Sequence, residues 1–364
     1  MTNIQSITDP RILLAGGGTG GHLYPGLTLA KTISAKVPSS RITFIGSNYG
    51  LDEQLVPKEG FRLVKLSTGR GSPISFKQPL NTIRFIRAIW QCFWLFSKEK
   101  PDVVVSLGGF AAAVPGIVAA WKNIPLVLLE QNVIPGRVTR ILSRWATEIH
   151  LQFNESRQFL ENTKSALIHS GSPVREDISE LFNINHDKTH FLVMGGSQGA
   201  EKLNEIVMAI APDLVKAEIP LIHITGKNDI QKVKTAYSDL GDIAEAVAFE
   251  NNVASLYART KLALMRGGAS TAAELALAGT PSIIVPFPSS RDDHQMVNAR
   301  TMADRNAALI CPQDTLSPEN LLRLITSLWN DKNRLARISQ AISYFAKPNA
   351  SDEIAERVLV LTKH

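Results

Sequence analysis

The 364-residue chain contains only two cysteines, Cys92 and Cys311. Two cysteines do not make a disulfide framework, and their scarcity is typical of proteins in a reducing compartment. The amino-terminal stretch MTNIQSITDPR is polar and lacks the apolar centre of a signal peptide. No uninterrupted apolar run reaches the roughly 18–20 residues that a membrane-spanning helix needs. We therefore expect a globular protein of a reducing compartment.

The sequence also lacks any group of His, Cys, Asp and Glu at metal-ligand spacing. We therefore expect no metal ion and no other cofactor. Acidic residues are outnumbered, since 39 Lys and Arg face 33 Asp and Glu, and the net charge is +6. This excess predicts an anionic partner, which could be nucleic acid, an acidic lipid surface or a phosphorylated substrate.

Short runs rich in β-branched residues alternate with helix-like segments along the whole chain. Continuous apolar strands separated by helices indicate parallel sheets buried on both faces. Two such series follow one another, and each begins with a strand and a glycine-rich turn, GGGTGG (16–21) and GGSQGA (195–200). The sequence therefore predicts an α/β protein with two Rossmann-like, doubly wound domains facing a cleft. The predicted strands are 11–15, 42–46, 61–66, 102–108, 125–131, 146–153, 189–196, 220–226, 245–249, 261–267 and 281–287.

The composition turns to Ser, Gly, Pro and charged residues at HSGSPVRED (169–177). This predicts a first domain over residues 1–169 and a second over 170–345. The last segment, 346–364, contains an amphipathic stretch after Pro348, and we expect it to form a helix that packs back on the first domain.

The opening loop raises the possibility of a dinucleotide site, because Gly16, Gly18 and Gly21 form a G-x-G-x-x-G pattern after a strand. This pattern alone is a weak signal. A dinucleotide fold also needs an acidic residue at the end of the second strand, about 20 residues further on. The nearest acids, Asp52 and Glu53, lie beyond that point. The sequence therefore disfavours an NAD-dependent protein.

His22 ends this glycine run. One interpretation is a ring packed over the first turn of a helix. The other is catalytic, since the positive end of a helix disfavours imidazolium and a neutral imidazole near a phosphate-sized gap suits a general base.

Seven motifs in this order resemble the MurG family, bacterial glycosyltransferases that add N-acetylglucosamine to the lipid-linked muramyl-pentapeptide precursor of peptidoglycan. The resemblance implies the two-domain GT-B fold and covers residues 11 to about 300. The motifs are GGTGGH (17–22), GGF (108–110), EQN (130–132), GSPVR (171–175), GGSQGA (195–200), GGASTAAEL (267–275) and DDHQMVNA (292–299).

The resemblance implies a residue set for each substrate. His22 is the general base, and Gly18, Gly108 and Gly109 hold the diphosphate of the acceptor. The residues expected to bind UDP-N-acetylglucosamine are Thr19, Gly20, Gly21, Asn132, Arg175, Ser197, Glu250, Ala269, Ser270, Thr271, Glu274 and Gln295.

Four of these residues have plain structural alternatives. Ser197 could be a helix N-cap, and Arg175 could form a surface ion pair with the acids that follow it. Thr271 and Glu274 together read as a capping box, whereas the resemblance assigns the Glu274 carboxylate to the ribose diol.

Residues 80–98, LNTIRFIRAIWQCFWLFSK, predict a helix that is apolar on most of its circumference. One face must join the core, but arginines beside Trp and Phe are also typical of an interfacial membrane helix. We expect a membrane patch formed by Ile83, Arg84, Phe85, Arg87, Trp90 and Trp94.

The resemblance implies inverting transfer of N-acetylglucosamine to the muramyl 4-hydroxyl of undecaprenyl-linked lipid I, forming lipid II. It also implies a peripheral location on anionic lipid at the cytoplasmic face of the inner membrane, without nucleic acid as a partner. Two alternatives stay open. One is a soluble enzyme similar to UDP-N-acetylglucosamine 2-epimerases, and the other is a nucleotide-binding or NAD-dependent protein.

Overall fold

The protein is represented by a computed structural model that describes residues 7–47, 51–66, 79–182, 184, 187–196, 200–288 and 293–363. The side chains of residue 47 and of residues 79–84 are not described. The chain forms two compact units, one of residues 1–175 with 349–364 and one of residues 176–348. The division falls at Arg175, within the segment of altered composition.

The first unit contains a seven-stranded parallel sheet, counted over the described residues, in the order β3-β2-β1-β4-β5-β6-β7. The strands are β1 (Arg11–Gly16), β2 (Arg41–Ser47), β3 (Arg62–Leu66), β4 (Val103–Gly108), β5 (Leu126–Glu130), β6 (Glu148–Leu151) and β7 (Ala166–Ile168). The crossover helices are α1 (Gly20–Lys36), α2 (Asp52–Lys58), α3 (Pro79–Glu99), α4 (Ala113–Trp121) and α5 (Arg137–Leu142).

Both faces of this sheet are buried, as the continuous apolar strands predict. Along β1, Ile12 and Leu14 pack into one core while Leu13 and Ala15 pack into the other. This alternation follows from the two-residue period of a strand. The second core is the one that receives the buried face of α3.

The second unit contains a six-stranded parallel sheet among its described residues, in the order β10-β9-β8-β11-β12-β13. The strands are β8 (His190–Met194), β9 (Leu221–Ile224), β10 (Ala244–Val247), β11 (Thr260–Met265), β12 (Ser282–Ile284) and β13 (Leu309–Ile310). The helices are α6 (Glu176–Ser179), α7 (Glu201–Lys216), α8 (Ile230–Ala236), α9 (Val253–Arg259), α10 (Ala269–Ala278), α11 (His294–Ala303), α12 (Pro318–Asn330) and α13 (Lys332–Ile342).

The prediction of two doubly wound α/β domains is confirmed. In each sheet the first strand of the unit lies in the middle, with the second and third strands on one side and the fourth and fifth on the other. The strand order therefore reverses between β1 and β4, and again between β8 and β11. Ligands of such sheets bind at the carboxyl ends of the strands beside this reversal, and the glycine-rich segments follow these strands.

The last helix, α14 (Ala350–Val360), belongs to the first unit. Its residues Ile354 and Val358 are buried in the same core as Leu23 and Leu27 of α1. Arg357 of this helix also forms an ion pair with Glu148 of β6, with 2.7 Å between Nη2 and Oε1. Within the described residues, no helix is both long and apolar enough to cross a membrane.

Candidate active site

His22 lies in the first turn of α1, directly after the loop that leaves β1. Its Nδ1 is 3.1 Å from the Thr19 hydroxyl oxygen. Thr19 is the N-cap residue of α1 by its extended backbone, but its side chain makes no capping hydrogen bond. The Thr19 hydroxyl therefore orients the His22 ring, and this contact was not foreseen in the sequence, where Thr19 was assigned to the donor sugar nucleotide.

The side of the His22 ring that carries Cδ2 and Nε2 lies against Gly108, the last residue of β4. A Cβ atom on Gly108 would lie 2.9 Å from Cδ2 and 3.1 Å from Nε2 of His22. Gly108 also has a φ of +89°, which residues with side chains rarely adopt. Glycine at this position therefore leaves room for the ring, and the neighbouring Gly109 has a positive φ as well.

The Asp52 carboxylate holds the glycine loop in place. This side chain is 1% exposed, and its Oδ1 accepts a hydrogen bond of 2.6 Å from the backbone amide of Gly18. A Cβ atom on Gly17 would clash with the same oxygen, so the Asp52 carboxylate requires glycine at this position. The Gly18 amide is thus already engaged, and the assignment of Gly18 to the acceptor diphosphate stays a prediction.

The remaining glycines of the loop, Gly20 and Gly21, are the first two residues of α1. A Cβ atom on Gly21 would meet no atom within 4 Å, so space is open beside it. Their backbone amides lie at the positive end of a helix, where an anion is favoured. This position is compatible with their predicted contact with the donor, which stays untested.

A buried carboxylate shapes the loop after β5. Glu130 is 4% exposed, and its oxygens accept hydrogen bonds from the backbone amides of Asn132 at 3.0 Å and Gly136 at 2.9 Å. Burial raises the pKa of Glu130, although the hydrogen bonds that it accepts act in the opposite direction. The carboxylate therefore fixes the backbone that carries Asn132, the predicted sugar-binding amide.

The second unit presents the first turn of α10 at the carboxyl end of β11. The helix begins at Ala269 with Gly268 as its N-cap residue, and the Ala272 amide closes the first turn onto the Gly268 carbonyl. Ala269, Ser270 and Thr271 therefore form the turn whose amides carry the positive end of the helix dipole. No acidic residue occupies this turn.

The capping-box interpretation of Thr271 and Glu274 is wrong. The helix starts two residues before Thr271, so Thr271 is inside the helix and makes no N-cap hydrogen bond. The Glu274 carboxylate instead accepts a hydrogen bond of 2.9 Å from the Tyr257 hydroxyl. Tyr257 is fully buried on α9, so it holds the carboxylate in one orientation.

Other residues predicted to bind the donor make hydrogen bonds within the protein. The Gln295 amide oxygen accepts a hydrogen bond from the Phe287 backbone amide at 2.9 Å. The Glu250 carboxylate accepts one from the backbone amide of Asn252 at 2.7 Å, and its contact with the donor stays a prediction. Arg175 is half-buried just before α6. Ser197 lies outside the described residues.

Helix α3 divides into a buried face and an exposed face. Ala88, Cys92 and Leu95 are buried. Trp90 is 74% exposed and Trp94 is 68% exposed, although both are large and apolar. One face of the helix therefore joins the core, and the two tryptophans lie outside that face.

The exposed tryptophans have apolar and cationic neighbours. Trp121 of α4 is 60% exposed and stacks on Phe93, with 5.9 Å between ring centroids. The Lys98 ammonium lies 5.4 Å from the Trp94 ring. Of the predicted patch, Phe85 is half-buried against the core and Arg87 is exposed, while the side chains of Ile83 and Arg84 lie outside the described ones.

Three functional contacts were missed at the sequence level, namely those of Asp52, Glu130 and Tyr257. Asp52 was dismissed because it follows the second strand too late to hold a ribose, and its use beneath the glycine loop spans 34 residues of chain. No group of three or more His, Cys, Asp or Glu side chains in the described part of the chain is arranged to hold a metal ion.

Family models match most of the chain. Residues 12–151 match the glycosyltransferase family 28 N-terminal domain, and residues 190–357 match the glycosyltransferase family 28 C-terminal domain. A relative from Myxococcus xanthus is 36% identical over 95% of this chain and 91% of its own length. It is named UDP-N-acetylglucosamine–N-acetylmuramyl-(pentapeptide) pyrophosphoryl-undecaprenol N-acetylglucosamine transferase.

Solved structures are similar over almost the whole chain. The crystal structure of Acinetobacter baumannii MurG is 27% identical with a TM-score of 0.77, covering 96% of this chain and 99% of that one. A putative UDP-N-acetylglucosamine 2-epimerase from Listeria monocytogenes has a TM-score of 0.69 and covers 95% of each chain, but it is only 12% identical. The second similarity shows a shared fold alone.

Proposed function

The chain belongs to glycosyltransferase family 28, and from this premise we propose that it is the transferase that builds lipid II. It transfers N-acetylglucosamine from UDP-N-acetylglucosamine to the 4-hydroxyl of the muramyl sugar of undecaprenyl-linked lipid I. The observation that carries this function is the 36% identity with a named transferase of the same reaction over 95% of the chain. The epimerase alternative rests on a similarity of fold at 12% identity.

His22 is the residue we assign to the acceptor proton. The Thr19 hydroxyl lies against Nδ1, so we assign the proton transfer to Nε2. A general base within hydrogen-bond reach of the hydroxyl contributes typically 100- to 10,000-fold in rate. His22 sits on the first turn of α1, where a neutral imidazole is favoured over imidazolium.

The transfer is a single displacement at the anomeric carbon. As Nε2 takes the proton, the 4-hydroxyl oxygen forms a bond to that carbon from the face opposite the diphosphate. The bond between the carbon and the β-phosphate oxygen breaks, and its electron pair leaves with UDP. An α-linked donor therefore gives a β-linked product.

The nucleotide part of the donor is assigned to the second unit, and Thr19, Gly20 and Gly21 of the first unit keep their predicted contacts with the donor. The amides of the first turn of α10 suit the developing charge on the leaving diphosphate, because they are fixed dipoles at a helix N-terminus. The Glu274 carboxylate, oriented by Tyr257, suits the two hydroxyls of the ribose. Arg175, Ser197, Glu250, Asn132 and Gln295 keep their predicted contacts in this proposal.

The acceptor is a membrane lipid, and we assign peripheral membrane contact to α3 and its neighbours. Trp90, Trp94 and Trp121 expose aromatic surface that water does not favour, with Arg87, Lys98 and Lys122 among them. Aromatic rings with nearby cations suit the interface of an anionic bilayer. Lipid I is the acceptor of a cytoplasmic nucleotide sugar in this scheme, so the contact is proposed at the cytoplasmic face of the inner membrane.

The function is tested by incubating the protein with UDP-N-acetylglucosamine, with and without a lipid I analogue. We expect UDP release that depends on the acceptor. Conversion of the sugar nucleotide to its 2-epimer without acceptor would instead establish the epimerase alternative. If the folded protein catalyses neither reaction, UDP-N-acetylglucosamine is not its substrate and the proposed function is wrong.

A further inference from the structure

The second unit contains a cleft of about 610 Å³ that none of the assignments above uses. This volume is in the range of small-molecule sites. One wall is a face of α13 and the other is the segment that leads from α11 into β13. The lining residues are Arg305, Asn306, Ala308, Leu309, Arg334, Arg337, Ile338, Gln340 and Ala341.

The cleft lies at the amino ends of the strands, whereas the second-unit residues assigned to the donor lie at the carboxyl ends. Ala308 and Leu309 are at the amino end of β13. The Ser339 hydroxyl of α13 donates to the carbonyl of Gly279, which ends α10 just before β12. The donor residues follow the carboxyl ends of β8 and β11. Since all these strands are parallel, the cleft and the donor residues lie at opposite ends of the strands.

Three arginines line this cleft. Arg334 and Arg337 are three residues apart on α13 and therefore share a face of the helix. Arg305 comes from the other wall, and its guanidinium carbon lies 3.9 Å from the centroid of the Tyr344 ring. Such stacking restricts the arginine and prepares it for binding. No carboxylate is among the described residues that line the cleft.

We propose that this arginine cleft is a second ligand site, distinct from the donor site, and that it binds a phosphoryl group. A phosphate monoester carries about −1.5 to −2 charges and three acceptor oxygens. Two or three guanidinium groups can bind it at once through paired N–H donors. A single carboxylate is satisfied by one arginine, so three arginines in one cleft favour phosphate over an acidic side chain.

The phosphoryl group has two possible sources with the same chemistry, a free phosphate ester or the headgroup of an anionic lipid. The Asn306 side chain and the apolar wall of Ile338 would contact the remainder of either ligand. The source decides whether the cleft responds to a soluble metabolite or to the membrane surface.

The test uses the full chain with saturating UDP, so that the donor residues are occupied. Inorganic pyrophosphate is titrated by calorimetry into the wild type and into an Arg334→Gln/Arg337→Gln variant. The matched control is Lys234→Gln/Arg323→Gln, which removes two exposed cations of the same unit outside the cleft. Arg337→Gln alone is a milder variant of an exposed residue, and thermal melting verifies the fold of each protein.

We expect pyrophosphate to bind the wild type and the control alike, and to bind the double variant at least about tenfold more weakly, since charge-assisted hydrogen bonds are lost. No pyrophosphate binding to the wild type, or equal binding to all proteins, would overturn the proposal. So would loss of binding in the control as well, or cleft-dependent binding of polyglutamate in place of pyrophosphate.

A second arm distinguishes the sources. Flotation with phosphatidylglycerol vesicles is compared for the same proteins. A lipid headgroup predicts that the double variant loses vesicle affinity and that pyrophosphate competes with vesicles for the wild type. A free ester predicts vesicle binding equal to that of the control, with the loss confined to pyrophosphate. Either pattern supports the phosphoryl site.

Discussion

The two units share a strand order but use the acid that follows their second strand differently. In the first unit this acid is Asp52, which accepts a hydrogen bond of 2.6 Å directly from the Gly18 amide in the loop after β1. In the second unit it is Asp229, which accepts one of 2.6 Å from the Asn204 side chain on α7, the helix after β8. Dinucleotide folds direct such an acid at a ribose. Here both acids are directed at the protein.

Asn204 also makes buried hydrogen bonds to neutral side chains of the second unit. Its amide oxygen lies 3.0 Å from Nε2 of His223, whose Nδ1 lies 2.8 Å from the Tyr237 hydroxyl. Burial lowers the pKa of His223 to about 3, so this ring is neutral at pH 7.

The two units therefore differ in how their opening loops are held. The first unit fixes its opening loop with a charge, and the loop carries the proposed base His22. In the second unit the carboxylate of Asp229 acts one step further from the loop, through the Asn204 side chain of α7. The anionic diphosphate is assigned to a different helix of the second unit, α10, whose first turn contains no acidic residue.

The largest expected effect is on the first unit. His22→Ala should lower turnover about 100-fold or more, because the acceptor hydroxyl loses its general base. UDP affinity should stay within about twofold, since the nucleotide is assigned to the other unit. Steady-state kinetics and UDP titration measure the two quantities. Wild-type turnover in a folded variant would remove His22 from the mechanism.

The second prediction tests whether the exposed tryptophans of α3, in the first unit, bind the membrane. Trp90→Ser/Trp94→Ser should weaken binding to anionic vesicles by tens of fold, since each buried aromatic side chain contributes roughly 1.5 kcal/mol or more. Activity on a water-soluble, short-chain acceptor should be unchanged. The matched control is Trp145→Ser, a tryptophan of the same unit that is 51% exposed and lies outside α3 and α4. Vesicle flotation equal to that of the wild type would contradict the assignment.

The second unit is tested by Glu274→Gln. A carboxylate that accepts from both ribose hydroxyls loses one acceptor on amidation, so UDP affinity should fall about tenfold. The affinity for dUDP should fall less, because dUDP already lacks one hydroxyl. Tyr257→Phe keeps the carboxylate but removes its orienting hydrogen bond, and a smaller loss of UDP affinity is expected. If Glu274→Gln binds both nucleotides as the wild type does, the ribose assignment is wrong.

The smallest effect concerns the two acids themselves. Asp52→Ala leaves the part-buried Gly18 amide without its carboxylate, which costs about 1 kcal/mol. Asp229→Ala should cost less, because the Asn204 amide also donates to the Thr225 carbonyl at 2.9 Å. Amide hydrogen exchange of peptides containing residues 16–20 and 200–204 reports each loop separately. Equal loss of protection in the two variants would mean that the two units are fixed in the same way.

Most of the sheet could be predicted from sequence, because buried parallel strands are continuous apolar runs. Two edge strands were missed, β7 and β13, which have three and two residues. Runs this short carry no periodic signal. The start of α10 was also misplaced, since Gly268 rather than Thr271 is its N-cap residue.

The candidate site was predictable only where glycines and polar residues follow strands. The positions of His22 and Glu274 emerged from their motifs, but the partners that orient them did not. Tyr257 lies 17 residues before Glu274, and Asp52 lies 34 residues after Gly18. Such contacts depend on the arrangement of strands in space, which a single sequence does not give.

The central claim is the transfer itself, and the chemical structure of the product tests it most directly. The wild-type protein is incubated with UDP-N-acetylglucosamine and a lipid I analogue, and the product is examined by mass and by the proton coupling of its new anomeric centre. The account predicts one N-acetylglucosamine added to the muramyl 4-hydroxyl through a β-linkage, with one UDP released per disaccharide. An α-linkage, or a 2-epimerised sugar nucleotide with the acceptor unchanged, would contradict it.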